Sequence, residues 1–208
     1  MSKIETVFAT RIYSATLRGK GARTLNDELA HAARAIAADD LAGQRWSVEN
    51  HYRGYTSYAS LDDLTWRAPE FGDLAHHLDN HVAALAKDLD FDLGGAPLAL
   101  DSIWVNILEP GGWHAAHIHP HSVISGTYYV EVPDGAGAIR FEDPRASLMM
   151  AAPPRRTRAA RDNRPYVSVI PRPGMVVLWE SWLRHEVPIN ASDSERISIS
   201  FNYRWGAG

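Results

Sequence analysis

The sequence predicts one mainly β domain, residues 1–208, in which two helices from the first half pack on one face of a sandwich or small barrel. Three observations predict this fold. Residues 24–40 and 71–91 place apolar side chains at intervals of three or four, which is helical spacing. Short β-rich runs separated by Gly, Pro or Asp follow residue 97. A chain of 208 residues is long enough for one domain with a sizeable core.

The first 97 residues are expected to support the second half. Residues 4–17 predict a strand. The helix over 24–40 has Thr24 or Asn26 available to cap its start. The helix over 71–91 carries the clearer apolar stripe, which consists of Phe71, Leu74, Leu78, Val82, Leu85 and Leu89.

The second half, residues 98–205, is expected to form the β core. Its seven runs are LALDSIWVNIL, SVISGTYYVEV, GAIRFED, YVSVIP, GMVVLWES, LRHEVPI and RISISFNYRW. Seven runs in about one hundred residues are typical of a sandwich or small barrel. One long connection, residues 144–166, interrupts them.

The composition narrows the function classes. Hydrophobic residues make up 45% and charged residues 22%, as in ordinary globular proteins, and the net charge of −4 favours neither nucleic-acid nor membrane binding. The N-terminus shows no apolar signal segment, which predicts a cytoplasmic protein. We expect a small-molecule partner; a homodimer is compatible with the sequence, but nothing in it requires one. The chain has no cysteine, so a metal would need imidazole, carboxylate or water.

Four of the ten histidines fall within residues 114–121. On a β-strand, His117 and His119 would project from the same face and offer two ligands to one metal. His185, in a later strand-like run, is the expected third ligand. His114 and His121 flank the pair and receive no ligand role.

The other histidines predict ordinary polar positions. His77 and His81 are spaced i, i+4 on a helix and would chelate together only with a third ligand, which the sequence does not offer nearby. The same surface interpretation applies to the remaining members of this group, His31, His51 and His76.

The last β-run has a polar face and an apolar face. Arg196, Ser198, Ser200 and Asn202 share one face, and the residues between them are Ile or aromatic. A guanidinium and a hydroxyl two residues apart are suited to gripping a carboxylate. The alternative is a solvated edge strand with Arg196 in water.

These residues resemble the 2-oxoglutarate- and iron(II)-dependent oxygenases. The similarity runs through NILEPGGWHAAHIHPHSVISGTYYVEV and then PGMVVLWESWLRHEVPINASDSERISISFNYRW. HIHPHSVISGTYYV is similar to a bacterial and phage group of oxygenases whose substrate is unassigned. The resemblance implies a double-stranded β-helix, the jelly-roll or cupin-like barrel, over residues 98–205.

The resemblance also implies residue roles. His117 and His185 would bind iron(II). Arg196, helped by Ser198 and Tyr129, would bind the distal carboxylate of the co-substrate 2-oxoglutarate. Asn106 is a further co-substrate contact, and no catalytic residue is implied beyond the metal ligands. Candidates for a supporting or substrate-contacting place near the site are Asp143, Trp113, Trp179, Trp182 and Asn202.

One departure keeps other functions open. The family commonly has Asp or Glu where this chain has His119. Three imidazoles suit iron but also zinc, nickel and copper. The alternatives are therefore a three-histidine cupin-like dioxygenase or isomerase that does not use 2-oxoglutarate, and a metal-containing binding module without turnover.

The connection 144–166 is rich in arginine. Between Arg140 and Arg172, eight arginines stand against three acidic residues, a net of +5, whereas the whole chain carries −4. The stretch predicts a mobile loop. It is either a solvated connector or a lid that draws an anionic substrate towards the metal.

Overall fold

The computed structural model describes residues 1–19 and 21–206. The helices are α1 (Ala22–Asp39), α2 (Leu41–Glu49), α3 (Leu64–Arg67) and α4 (Pro69–Asp88). The strands are β1 (Ile12–Thr16), β2 (Gly54–Thr56), β3 (Ala99–Leu108), β4 (His114–His117), β5 (Ile124–Glu131), β6 (Ile139–Glu142), β7 (Tyr166–Val169), β8 (Met175–Glu180), β9 (His185–Val187) and β10 (Arg196–Arg204). Within these described ranges, no helix combines the length and the apolarity that a membrane crossing needs.

The strands form two antiparallel sheets. The major sheet has the order β1-β8-β5-β10-β3-β2, and the minor sheet has the order β4-β9-β6-β7. Strands that follow one another in the sequence are mostly not adjacent in either sheet, because the chain passes back and forth between the two sheets. This is the jelly-roll arrangement, and the predicted mainly β fold with flanking helices is confirmed.

The core has two parts because the major sheet is buried on both faces. On the outer face, the apolar sides of α1 and α4 pack against residues of β3, β5 and β10 such as Ile199 and Phe201. A smaller apolar cluster lies between the sheets, where Trp179 of the major sheet meets Phe141 of the minor sheet. The rest of the space between the sheets is lined by polar residues and by aromatic ones such as Trp104, and it holds the site described below.

The expected cap of the first helix is wrong. α1 begins at Ala22, and Gly21, in a left-handed conformation with φ 103°, stands at the N-cap without a side-chain hydrogen bond. Asn26 lies inside the helix instead. Its amide donates to the carbonyl of Val130, and its side-chain oxygen accepts from the hydroxyl of Tyr128. A polar side chain that looked like a local cap therefore ties the helix to β5.

The first half contains more elements than its periodicity predicts. Only residues Ile12–Thr16 of the predicted strand 4–17 are strand, because only these pair with β8. Helices α2 and α3 and strand β2 were not predicted, since elements of three to nine residues are too short to show a period. The predicted helix over 71–91 is present as α4, shifted by two residues at its start.

Gly126 is required by close packing inside the sheet. A Cβ built at this position would lie 2.5 Å from Cδ2 of Leu178 and from the ring of Phe201. We expect Gly126→Ala to lower the free energy of unfolding by about 1–3 kcal/mol, because the added methyl overpacks the core. Urea denaturation measures this change.

A helical glycine provides the control. Gly72 of α4 would place a Cβ no closer than 3.4 Å to its surroundings, so Gly72→Ala should be neutral or slightly stabilising. Equal midpoints for Gly126→Ala and the unchanged protein would contradict the close packing.

Candidate metal centre

Two histidines face each other across the minor sheet. His117 ends β4, His185 begins β9, and the two are direct antiparallel partners. Side chains at directly opposed positions lie close enough to touch. The ring centroids of His117 and His185 are accordingly 4.4 Å apart. The pairing of two strands thus explains why residues 68 positions apart meet.

The third histidine, His119, is not positioned by strand alternation as the sequence predicted. β4 ends at His117, so His119 lies beyond the strand and does not share its face by alternation. Instead its backbone amide donates to the carbonyl of Ser181, in the turn between β8 and β9. This bond places the His119 ring 5.1 Å from that of His117 and 5.3 Å from that of His185.

The three imidazoles can present ligand nitrogens to one ion. One nitrogen from each of His117, His119 and His185 lies within 4.8 Å of the others. Nδ1 of His117 contacts the carbonyl of Ala115 at 2.7 Å, and Nδ1 of His185 contacts that of Leu183 at 2.9 Å. These carbonyls hold the proton on Nδ1 and leave Nε2 free, as in many metal sites.

Burial also favours the neutral form of two imidazoles of the triad, those of His119 and His185. Burial, assisted by His117, lowers the pKa of His185 to about 3. Burial and His117 likewise lower the pKa of His119 to about 4. A neutral imidazole is the form that binds a metal. The donor set therefore fits a divalent transition metal.

The triad lies on the wall of a cavity of about 850 Å³ between the two sheets. The predicted polar face of β10 lines this cavity with Arg196, Ser198, Ser200 and Asn202. Two of these groups are already hydrogen-bonded: Ser200 bonds Asn106 and Thr127, and Asn202 accepts from Ser125 and donates to Ser102. The alternative of a solvated edge strand does not hold, because β10 lies between β5 and β3.

Arg196 is the charged residue on this face. It is only 3% exposed, and within residues 1–19 and 21–206 its Nε has no hydrogen-bond partner. Its guanidinium carbon lies 5.0 Å from the ring centre of Tyr129. The Tyr129 hydroxyl is likewise buried without a hydrogen-bond partner among the described residues. Burial raises the pKa of Tyr129, and Arg196 opposes this rise. A buried cation beside a free hydroxyl is costly unless an anion binds there.

The other predicted residues divide between two cavities. Asn106 lines the main cavity and bonds Thr56 and Ser200. Trp179 is buried against His185, with ring centroids 4.6 Å apart, and its indole nitrogen is a further buried atom without a hydrogen-bond partner in the described chain. Trp113 lines the main cavity and is exposed.

Asp143 and Trp182 lie elsewhere. They line a second cavity on the opposite face of the minor sheet, and the Asp143 carboxylate accepts from the guanidinium of Arg145. The structure does not bring them to the main cavity. Of the surface histidines, His81 bonds the hydroxyl of Tyr13 at 2.8 Å, away from both cavities.

The sequence did not indicate that Trp104, Tyr58 and Tyr52 line the cavity, and it gave His114 no role there. Trp104 packs 6.0 Å from His119, and Tyr58 meets Trp104 edge-on at 5.1 Å. Trp104 could have been found, since it lies two residues before Asn106 and thus shares its strand face. Tyr52 and His114 form a hydrogen-bonded pair at the same cavity.

The comparison with protein families finds a match in the second half of the chain. Residues 102–202, just under half of the chain, match the family described as "Putative 2OG-Fe(II) oxygenase". No curated protein matches the chain.

Solved structures support the same fold. A prolyl-4-hydroxylase from Pseudomonas putida has 17% identity and a TM-score of 0.62, over 95% of this chain and 94% of that one. AviO1 from Streptomyces viridochromogenes Tue57 also has 17% identity and a TM-score of 0.62, over 96% and 91%. The epimerase SnoN of nogalamycin biosynthesis, determined with Fe3+, alpha-ketoglutarate and nogalamycin RO, has 19% identity and a TM-score of 0.61, over 94% and 79%.

These identities are too low to carry residue roles across, but the family match bears directly on the site. The matched residues 102–202 contain the histidine triad and Arg196. That stretch matches an oxygenase family, and nearly the whole chain shares the fold of the solved structures named above.

Proposed function

We propose that this protein is an oxygenase that binds iron(II) through His117, His119 and His185 and takes 2-oxoglutarate as co-substrate at Arg196. One observation supports the proposal: in the described part of the chain, a three-imidazole group lines the same cavity as a buried guanidinium whose Nε has no hydrogen-bond partner. 2-Oxoglutarate has a keto acid at one end, which suits a metal, and a carboxylate at the other, which suits an arginine.

The chain's own residues would hold the co-substrate as follows. Arg196 would pair with the distal carboxylate through charge-assisted hydrogen bonds, with Tyr129 and Ser198 beside it. Asn106 is fixed by Thr56 and Ser200 and would shape the wall between Arg196 and the metal. Bound iron with 2-oxoglutarate would supply oxidation of a substrate by dioxygen, chemistry that belongs to the cofactor.

A three-histidine metalloenzyme that does not use 2-oxoglutarate is the second candidate, favoured by His119 at a position where the family commonly has a carboxylate. Anaerobic titration of the iron(II)-loaded protein with 2-oxoglutarate separates the two. A visible metal-to-ligand absorption band, saturating at one equivalent, is expected from chelation of the keto acid. A titration without a band or bound 2-oxoglutarate would exclude the first proposal in favour of the second.

The substrate would enter the cavity past two aromatic side chains, Tyr58 and Trp104. Tyr58 is exposed and Trp104 buried, and together they form an angled wall next to His119. Among the residues that line the main cavity, Arg196 is the single Arg or Lys. The wall nearest the metal therefore favours an uncharged, partly apolar portion of the substrate.

The Arg-rich loop would act during the approach of the substrate. It connects β6 to β7, and its first residues line the second cavity, whereas residues 144–165 contribute nothing to the lining of the main one. A net positive loop attracts an anionic group from a distance, and this attraction weakens with salt because the Debye length is about 10 Å at 0.1 M ionic strength.

Replacement of Arg155, Arg156 and Arg158 by Ser tests this role. We expect lower turnover of an anionic substrate at low salt and unchanged uncoupled decarboxylation of 2-oxoglutarate. Kinetic measurements at two ionic strengths, with 2-oxoglutarate consumption followed separately, distinguish the two activities. If both activities equal those of the unchanged protein at both salt concentrations, the loop is a connector only.

A further inference from the structure

A partly buried His–Tyr pair occupies the end of the main cavity that holds Arg196. His114 belongs to β4, and Tyr52 lies two residues before β2. The Tyr52 hydroxyl is 2.9 Å from Nε2 of His114, and the rings meet at 87°. Both residues line the cavity. Nothing in the proposed metal centre requires this pair.

The strand registers explain why the pair and Arg196 lie together. Leu108 of β3 pairs with Arg196 on one side and with Gly54 of β2 on the other. Tyr52 therefore reaches the cavity from the same end of the sheet as the guanidinium. Arg196 also acts electrostatically on both members of the pair: burial and Arg196 lower the pKa of His114 to about 3.

The tautomer of His114 follows from its neighbours. The Tyr52 hydroxyl has one hydrogen and two nearby acceptors, Nε2 of His114 at 2.9 Å and Oδ1 of Asn106 at 3.5 Å. The asparagine oxygen already accepts from Thr56 at 3.0 Å. The shorter bond to Nε2 is the better one, so Tyr52 donates to His114 and the imidazole proton resides on Nδ1.

Nδ1 of His114 then carries a proton that has no acceptor among the described residues. Within residues 1–19 and 21–206, the imidazole's hydrogen bond runs through Nε2 alone, and the residue borders the cavity. A neutral donor next to a buried guanidinium adds a hydrogen bond for an anion without a second positive charge to repel Arg196. A histidine needed only for packing would not require Tyr52 to fix its tautomer.

We infer that His114, held by Tyr52, is a positioning residue that donates a hydrogen bond to the distal carboxylate of the co-substrate beside Arg196. This inference rests on the proposed function, because it needs a dicarboxylate 2-oxo acid in the cavity. It assigns a role to a partly buried histidine of the 114–121 cluster that does not belong to the triad.

The test compares two 2-oxo acids on the Mn(II)-loaded protein by calorimetry in the absence of dioxygen. 2-Oxoglutarate carries the distal carboxylate and 2-oxopentanoate does not. We expect His114→Phe to weaken 2-oxoglutarate binding about tenfold, as for the loss of a hydrogen bond to a charged group, while the affinity for 2-oxopentanoate stays within about twofold. Tyr52→Phe should reduce the same preference to a smaller extent, because it frees the tautomer of His114.

A second His–Tyr pair provides matched controls. His81 and Tyr13 are joined at 2.8 Å on α4 and β1, outside both cavities. His81→Phe and Tyr13→Phe should leave the affinities for both acids unchanged. Manganese stoichiometry and circular dichroism are measured on every variant.

The outcomes separate the inference from the function on which it rests. If the unchanged protein binds both acids equally, the proposed co-substrate is wrong. If it prefers 2-oxoglutarate and His114→Phe keeps that preference, or weakens both acids alike, the inference is overturned. Tyr52→Phe, which retains His114, decides the matter if His114→Phe does not fold: an unaltered preference there also overturns it.

Discussion

His117→Ala and His185→Ala are each expected to abolish stoichiometric iron(II) binding. The two imidazoles are cross-strand partners, so removal of either leaves two nitrogens and water for a metal that prefers to be held by three protein ligands. Metal content after loading and desalting, measured by atomic emission, gives the result directly. One equivalent of iron retained by either variant would contradict the proposed metal centre.

Variants of the neighbouring histidines serve as controls. His119→Ala should also weaken iron binding, because its ring stands within 5.3 Å of both others. His121→Ala should retain most of the metal, since His121 is exposed and outside the triad. His114→Ala should likewise retain it, because Nε2 of His114 is engaged by Tyr52. An essential His121 together with a dispensable His119 would reverse the assignment of the third ligand.

The sequence predicted the members of the triad, but the reason it offered for His119 was wrong. Strand alternation would have placed His117 and His119 on one face, yet β4 ends at His117. The amide of His119 is instead held by Ser181, 62 residues further along the chain. Hydrophobic periodicity reports local geometry and contains nothing about such a long-range backbone bond.

The polar face of β10 was predictable from sequence because it depends on local geometry and not on a long-range contact. Strand alternation depends only on the residue's own strand, and β10 is nine residues long and pairs regularly with β3 over Arg196–Asn202. Arg196 and Asn202 could therefore be assigned to one face from sequence. The role of Asn26 could not, because its partner Val130 lies 104 residues away on β5.

The His114–Tyr52 pair shows the same limit within the site. Tyr52 lies in an irregular segment, where no period indicates the direction of a side chain. His114 could be seen to flank the cluster, but its partner 62 residues earlier could not be identified. Residues from irregular segments reach the cavity through tertiary contacts alone, which is why sequence reasoning omitted Tyr58 as well.

Arg196→Ala is expected to weaken 2-oxoglutarate binding about ten- to a hundredfold without loss of the metal. A charge-assisted contact to a carboxylate contributes roughly 1.5–3 kcal/mol, which corresponds to that range. The guanidinium is 3% exposed, so little water screens the contact. The triad does not depend on Arg196, because His117 and His185 are fixed by their own strand pairing and carbonyl contacts.

The free energy of unfolding distinguishes a ligand-binding arginine from a structural one. In the described chain the Nε of Arg196 has no hydrogen-bond partner, so the folded protein without ligand gains little from the buried charge. Arg196→Met, which fills the same space, should therefore match the unchanged protein in stability or exceed it, while 2-oxoglutarate binding falls as for Arg196→Ala. Arg140→Met, at an arginine paired with Glu186 on the outer face, is the control and should leave the affinity unaltered. Undiminished 2-oxoglutarate affinity in both Arg196 variants would remove the anion site from the cavity and leave a metal centre without its co-substrate.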